Sequence, residues 1–402
     1  MNPRRPEVAD VFREFGAAYL KQSAASRDQR RVLKDLSLCK TAALGGHKAT
    51  CDRCGHEEFF YNSCRNRHCP KCQGAARAKW LSERQDELLN THYFHVVFTL
   101  PEELGPLALQ NKRVVYGLLF RAAAETLKTI AGDPKHLGAE IGFLAVLHTW
   151  GQRLDHHPHL HCVVPGGGFS PDRSRWIAAR KNFFVHVKVL GKRFRKIFLS
   201  YLTEAFQDGK LEFHGRLAHL GARSEWARFI EGLPNKWVVY SKPPFGSTEL
   251  VLKYLARYTH RVAISNQRLL SFKEGKVTFR YKDYRAGTTG TMTLEATEFI
   301  RRFLLHVLPS GFQRIRYFGF LSNRTRKDRI ALCRTLLPAP KVAVDSQLES
   351  ADDTDSTAEP CDAAERAPRC PLCKEGRLSY VEELKRDLAS AFALIPWIYD
   401  TS

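Results

Sequence analysis

The chain is 402 residues long, carries 63 Lys and Arg against 42 Asp and Glu, and has a formal net charge of +21. That length calls for more than one folded unit, and a hydrophobic share of 44% with 11% aromatics belongs to a folded globular protein. The charge surplus is not needed for folding and points to a polyanionic partner. No apolar run approaches the roughly 18 residues that cross a bilayer, and the stretch from Met1 to Glu7 lacks an apolar signal core. The expectation is a cytoplasmic protein, whose 11 cysteines stay reduced and serve as metal ligands more readily than as disulfides.

Val8 to Leu44 reads as helix in two segments. Val11, Phe12, Phe15, Ala18 and Tyr19 recur at helical spacing in the first, and Leu33, Leu36 and Leu38 in the second. After Gly45 and Gly46, Cys51-Asp-Arg-Cys54-Gly leads through Phe59, Phe60 and Tyr61 to Cys64-Arg-Asn-Arg-His68-Cys69-Pro-Lys-Cys72. Two C-x-x-C knuckles with a short strand-like insert suit one tetrahedral zinc, as in a zinc ribbon, and the expected ligands are Cys51, Cys54, Cys69 and Cys72. Four protein ligands leave no open position, so the ion's role is structural. His47, Cys64 and His68 are surplus donors. Arg53, Arg65, Arg67, Lys71, Arg77 and Lys79 give this module a grip on phosphates.

His95 to Leu100 reads as a buried strand stopped by Pro101, Arg113 to Ile130 as a helix, and Ile141 to His148 as a second strand. The next strand contains His159-Leu160-His161 and ends at Pro165 and the glycines 166–168. Side chains two apart on a strand share a face, so His159 and His161 converge. Two neutral imidazoles on one face can hold a divalent metal and leave positions open for substrate. An isolated pair could equally be two polar positions on a half-exposed strand, but His148, His156 and His157 lie close by. The turn-forming link from Asp155 to Pro158 makes the two strands antiparallel neighbours. If the first strand runs on, His148, Trp150 and Gln152 share a face, and Gln152 either supplies an oxygen as third ligand or bonds to backbone.

Trp176 to Phe213 mixes basic and apolar positions in a strand and a helix, and Lys236 to Tyr240 is a strand ended by Pro243 and Pro244. Glu249 to Ile264 suits a helix with Val251, Leu255, Tyr258 and Val262 as its apolar stripe. Tyr254 and Tyr258 lie one turn apart. That spacing is common in amphipathic cores, yet beside a metal site a tyrosine hydroxyl can attack a phosphodiester and hold a covalent phosphotyrosine. Leu269 to Tyr284 reads as a hairpin and Phe299 to Leu308 as a helix. Beyond it, Arg314, Arg316, Arg324, Arg326, Lys327 and Arg329 interleave with Tyr317, Phe318 and Phe320. This composition suits stacking on bases or a solvated helix with core aromatics. From Pro338 to Arg369, eight acidic residues face three basic ones, as in a disordered linker or acidic tail. Cys370 and Cys373 then offer half a zinc site, which neither Cys361 nor Cys333 completes convincingly.

Three stretches, in order, carry a resemblance: Ser63 to Cys72, His157 to Cys162 with its glycine run, and Tyr254 to Arg261. From about Gly45 to Arg329 the chain resembles the rolling-circle transposases of bacterial insertion sequences, in which a zinc-binding domain precedes a His-hydrophobic-His (HUH) nuclease with catalytic tyrosines. The resemblance implies an α+β fold, with an antiparallel sheet flanked by helices, the two histidines on a central strand, and a small zinc-ribbon-like domain ahead of it. The expected organisation is a helical segment at 1–44, the zinc-binding domain at 45–90, the nuclease at 91–335, an acidic linker at 336–369 and a C-x-x-C tail at 370–402. Tyr254 and Tyr258 are implied as catalytic, with His159, His161 and Gln152 around Mg²⁺ or Mn²⁺. Arg65, Arg67, Arg257, Arg261, Arg324 and Arg326 are the expected DNA contacts. One tyrosine would take a 5′ phosphate and free a 3′ hydroxyl that primes replication, while the second performs the partner step. No ATP is required, and no G-x-x-x-x-G-K-[ST] loop is present, so a host helicase and replication machinery are expected partners at the bacterial nucleoid. The rival readings are a non-enzymatic zinc-dependent DNA-binding regulator and a plasmid or phage replication initiator with the same chemistry.

Overall fold

The computed structural model describes residues 5–180, 185–242, 251, 259–283, 286–337 and 367–399. It opens with helices α1 (Val8–Gln22) and α2 (Arg27–Leu38). The Ser26 hydroxyl accepts the Gln29 N–H while the Gln29 side chain accepts the Ser26 N–H, which satisfies two otherwise orphaned donors and fixes where α2 begins. Strands β1 (Gly46–Cys51) and β2 (Glu57–Tyr61) form a hairpin, and α3 (Gln73–Arg84) leads to β3 (Tyr93–Thr99). Next come α4 (Gly105–Gln110), α5 (Lys112–Gly132), β4 (Gly142–Trp150) and β5 (His156–Pro165). The short pair β6 (Gly167–Phe169) and β7 (Trp176–Ala178) precedes α6 (Val187–Gln207), α7 (Arg223–Glu231) and β8 (Val239–Lys242). An antiparallel meander of β9 (Leu269–Lys273), β10 (Lys276–Asp283) and β11 (Thr288–Glu295) runs into α8 (Ala296–Leu305). Strand β12 (Ile315–Gly319), α9 (Arg326–Leu336), β13 (Leu378–Leu384) and α10 (Leu388–Leu394) follow.

Five of these strands build one antiparallel sheet in the order β12-β4-β5-β3-β8, with β5 at its centre. Successive side chains on a strand face opposite ways. One face therefore presents Phe94, Val96, Phe98, Phe143, Ala145, Leu147, Leu160, Cys162 and Val164 to the apolar sides of α5 and α6. The other face presents Tyr93, Leu144, Val146 and Val163 to a smaller apolar cluster, and it is the face that carries His159 and His161. Because both faces are covered, these strands read as nearly continuous apolar runs. This is the α+β arrangement the sequence led us to expect.

A second sheet, in the order β13-β1-β2, brings the two ends of the described chain together. Residues from Cys370 onward, expected as a tail, instead supply its outer strand and a helix whose Ala391 and Ile395 pack on Leu38 and Ala43. The basic-aromatic stretch after Arg314 also differs from a helix: Ile315 to Gly319 is the edge strand of the large sheet, pairing with Gly142 to Val146. The hairpin expected at 269–284 gains β11 as a third strand. Among the described residues no helix is long and apolar enough to cross a membrane.

Candidate functional site

The turn between β4 and β5 sets the geometry of the histidine face. The Gly151 N–H donates to the Asp155 carbonyl at 3.0 Å, and a Cβ on Gly151 would lie 2.2 Å from the Asp155 carboxylate, which would have to swing aside. The resulting register puts His148 directly opposite His159. His148, His159 and His161 thus bring three ring nitrogens within 4.8 Å of one another. Their ring centroids are 4.5 Å (148 to 161), 4.8 Å (159 to 161) and 5.6 Å (148 to 159) apart.

Each ring is fixed by its neighbours. His159 donates from Nδ1 to the His157 carbonyl at 2.7 Å, which leaves its Nε2 lone pair for a ligand. His161 Nδ1 shares a 2.8 Å hydrogen bond with Nε2 of His95 on β3, and the two rings stack at 5.0 Å. His148 stacks on Trp150 at 4.7 Å. Burial pushes the His159 imidazole down to about 3, with the charges of His157 and Arg261 adding to the effect. Burial likewise holds His161 well below the ordinary histidine range, helped by His148, His159, His95 and Arg261. These imidazoles are neutral near pH 7, the form that can bind a metal.

Gln152, expected as the third donor, is not in this group. Strand β4 ends at Trp150, and the turn carries Gln152 to β10, where its Oε1 accepts the Lys282 N–H at 3.4 Å. His148 stands in its place. The signal was available in the sequence: once the link at 151–155 is taken as a tight antiparallel turn, pairing places 148 across from 159.

Tyr254, Arg257 and Tyr258 lie outside the described residues. The residues that flank them do not. Val251 is buried with Tyr93, Val146 and Val163 on the histidine face. On the other side, the carbonyls of Thr259 and Arg261 accept from Arg314 at 3.0 and 3.3 Å. The buried Arg314 also donates to Gln73 Oε1 at 3.1 Å, at the start of α3, and burial pulls its guanidinium down to about 10.

The cysteines form two groups rather than the single site expected from Cys51, Cys54, Cys69 and Cys72. Cys69 and Cys72 meet Cys39 and Cys64, while Cys51 and Cys54 meet Cys370 and Cys373, with all four sulfurs of each set within 4.8 Å. The cause is topological: the β1–β2 hairpin carries the first knuckle toward β13, while the second knuckle caps α3 beside the end of α2. In the first set Cys72 lies 3.5 Å from Cys39 and 3.6 Å from Cys64. The N–H groups of Cys64 and Asn66 donate to the sulfurs of Cys39 and Cys64 at 3.4 and 3.5 Å. Cys64 was visible as a surplus donor, whereas Cys39 sits alone in the sequence and carries no motif.

The expected DNA contacts divide. Arg67 is not available to phosphate: its guanidinium donates to the carbonyls of Pro309 at 2.9 Å and of Phe312, which docks the cysteine loop against the segment after α8. Arg326 is committed to Glu87 at 3.3 Å and lies over the Tyr317 ring at 4.6 Å. Arg65 and Arg324 are exposed. Arg324 lines a cavity of about 550 Å³ together with Lys128, Arg173 and Arg329. Arg261 is half-buried, and its charge is felt by His159 and His161.

Residues 142–329 match the family model described as "Putative transposase", and residues 11–100 match that described as "Transposase zinc-binding domain". The "Putative transposase y4qJ" of Sinorhizobium fredii (strain NBRC 101917 / NGR234) is 56% identical over 389 residues, covering 94% of this chain and 95% of that protein. The "Transposase for insertion sequence element IS801" of Pseudomonas savastanoi pv. phaseolicola is 32% identical over 312 residues, covering 76% of this chain and 74% of that protein. Among solved structures, the conjugative relaxase TrwC in complex with mutant OriT DNA is 15% identical across 60% of this chain and 72% of its own, with a TM-score of 0.24, too low to carry the fold across.

Proposed function

The chain belongs to the rolling-circle HUH transposases of insertion sequences, and we propose that it cleaves and rejoins single-stranded DNA at the ends of such an element by tyrosine transesterification. The observation that most directly supports this reading is the convergence of His148, His159 and His161 on the central strands, within reach of the Arg261 charge. Three nitrogen donors, two of them buried, fit one divalent cation, and nitrogen ligands favour Mn²⁺ over the oxygen-seeking Mg²⁺. A cation held there supplies the Lewis acidity that polarises the scissile phosphate.

The remaining chemistry belongs to the chain's own groups. Val251, buried on the histidine face, and Thr259, whose carbonyl accepts from Arg314, flank the tyrosine segment in the sequence. The phenolic oxygen of Tyr254 or Tyr258 attacks phosphorus, its proton passing to solvent, and the bond from phosphorus to the 3′ oxygen breaks. The 5′ phosphate remains esterified to tyrosine, and the departing 3′ oxygen takes up a proton. The ester keeps the bond energy, so attack by another 3′ hydroxyl rejoins strands without ATP, and the second tyrosine serves the partner strand. Arg261 offsets phosphate charge during this exchange, while Arg65 and Arg324 grip the flanking backbone. Cys39, Cys64, Cys69 and Cys72 hold a structural zinc. Strand separation falls to a host helicase, in the cytoplasm at the nucleoid.

The test is to incubate labelled single-stranded DNA carrying the element's end with the protein and Mn²⁺, and to look for a covalent adduct after denaturation. The adduct is expected to vanish in His161→Ala and in Tyr254→Phe with Tyr258→Phe combined. Tight DNA binding with no adduct on the correct end would overturn the nuclease in favour of a DNA-binding regulator.

A further inference from the structure

The second cysteine group lies partly outside the stretch matched by the zinc-binding family model, which ends at residue 100. Its sulfurs are spaced as a metal would space them: Cys51 lies 3.7 Å from Cys373, and Cys54 lies 3.7 Å from Cys370. Four thiolates about 2.3 Å from a tetrahedral zinc stand roughly 3.8 Å apart. Apolar burial does not account for the gathering, because Cys54 is exposed and Cys373 half-exposed. The buried cluster around them holds only Ala49, Cys51, Cys370 and Leu378.

The two knuckles are matched almost bond for bond. Gly55 N–H donates to the Cys51 carbonyl at 3.1 Å, as Lys374 N–H does to the Cys370 carbonyl at 3.0 Å. Cys51 N–H donates to His56 and Cys370 N–H to Gly376, both at 2.8 Å. The residue after each second cysteine is left-handed, Gly55 with φ of 67° and Lys374 with φ of 61°. Backbone N–H groups also turn toward sulfur, from Arg53 to Cys51 at 3.4 Å and from Gly376 to Cys373 at 3.3 Å. Such N–H donors favour thiolate over thiol. Gly376 itself leaves space for the ligand: a Cβ there would stand 2.4 Å from the Cys51 sulfur.

We propose that Cys51, Cys54, Cys370 and Cys373 bind a second structural zinc ion as four thiolates, fastening residues 370–399 to the module at the other end of the chain. Arg53 to Glu375 is an ion pair across the same junction, and β1 pairs with β13 immediately beside it. The ion would join Cys54 and Cys370 across a sequence separation of 316. It holds in place the helix α10 that covers Leu38 and Ala43.

The readout is cobalt substitution in the full-length protein under reducing conditions, because thiolate-to-Co²⁺ charge-transfer absorbance reports sulfur-bound ions and not an ion at the histidines. Two sulfur-bound ions per chain are expected. Cys370→Ser with Cys373→Ser should lower the count to one, and Cys64→Ser with Cys69→Ser should remove the other. Should the first double variant lose both ions through misfolding, Cys370→His decides: one altered and one unaltered centre supports the site, and two unaltered centres overturn it. A wild-type chain saturating at one sulfur-bound ion, or the Cys370→Ser, Cys373→Ser variant still holding two, also overturns it.

Discussion

The large sheet and the terminal sheet reach order by different means. Around β5, Leu160, Cys162 and Val164 are buried among aromatic and aliphatic side chains from both long helices, and the histidines ride on a scaffold that hydrophobic burial already makes rigid. Around β1, only a handful of apolar side chains are buried, and two of them are cysteines. Little apolar surface is covered there to offset the entropy of ordering the chain, and the proposed zinc would supply that difference. In one region a metal would use a structure that exists without it; in the other a metal would make the structure.

The largest expected effect follows from that contrast. Stripping thiol-bound metal with a strong chelator should remove hydrogen-exchange protection from β1 and β13 while the β3 and β5 amides stay protected. Zinc sites of this kind contribute on the order of 10 kcal/mol to folding. Equal loss of protection in both sheets would break the comparison. Next in size is Leu160→Ala, which opens a cavity behind the histidine strand and should cost about 2–5 kcal/mol in denaturant melts, with or without metal. A cost that disappears on metal loading would mean the large sheet also depends on its ion.

A smaller effect is expected from His95→Ala. His95 is not itself a proposed ligand but holds His161, which is, by the 2.8 Å bond. Losing such an outer partner typically weakens metal affinity about 10–100-fold. Calorimetric titration with Mn²⁺ should show that drop while circular dichroism stays unchanged; an unchanged affinity would make His95 a packing residue. The smallest effect concerns His306, buried between Thr149 and the Leu154 carbonyl at 3.3 Å from each. Burial pushes its imidazole down to about 3, below an unfolded value near 6.5. Its contribution is therefore complete above pH 6.5 and is lost as pH falls toward 3, with a slope of about 1.4 kcal/mol per pH unit in between. His306→Gln should flatten the fall in Tm between pH 6.5 and 5. An unaltered fall would assign the acid sensitivity to other groups.

The same contrast explains how far the sequence could be read. The β5 pattern was legible because strand alternation is local: His159 and His161 must share a face whatever surrounds them. His148 was legible only through register, which requires recognising the tight turn at Gly151. Gln152 as a third ligand depended on β4 running past Trp150, where it ends, so the alternative of a backbone bond is the one seen. The cysteine partnerships were not legible. Nothing within a few residues of Cys51 announces Cys370, and Cys39, just past the end of α2, has no companion nearby in the sequence. Long-range pairing of ligands is fixed by strand topology, which spacing rules do not encode. Arg67 looked like a phosphate contact because its carbonyl partners at Pro309 and Phe312 are more than two hundred residues away.

The β1–β13 pairing also has a consequence for synthesis. The last strand of the large sheet is complete at Gly319, whereas the strand that finishes the terminal sheet ends at Leu384. Those 65 further residues (384 minus 319) take roughly 3–13 s to translate at about 5–20 residues per second. During that interval the growing chain presents the unpaired edge of β1 and two waiting thiols at Cys51 and Cys54. A ribosome that stalls within it leaves the histidine scaffold finished and the terminal sheet open, exposing a hydrogen-bonding edge that cellular proteolysis and aggregation both recognise.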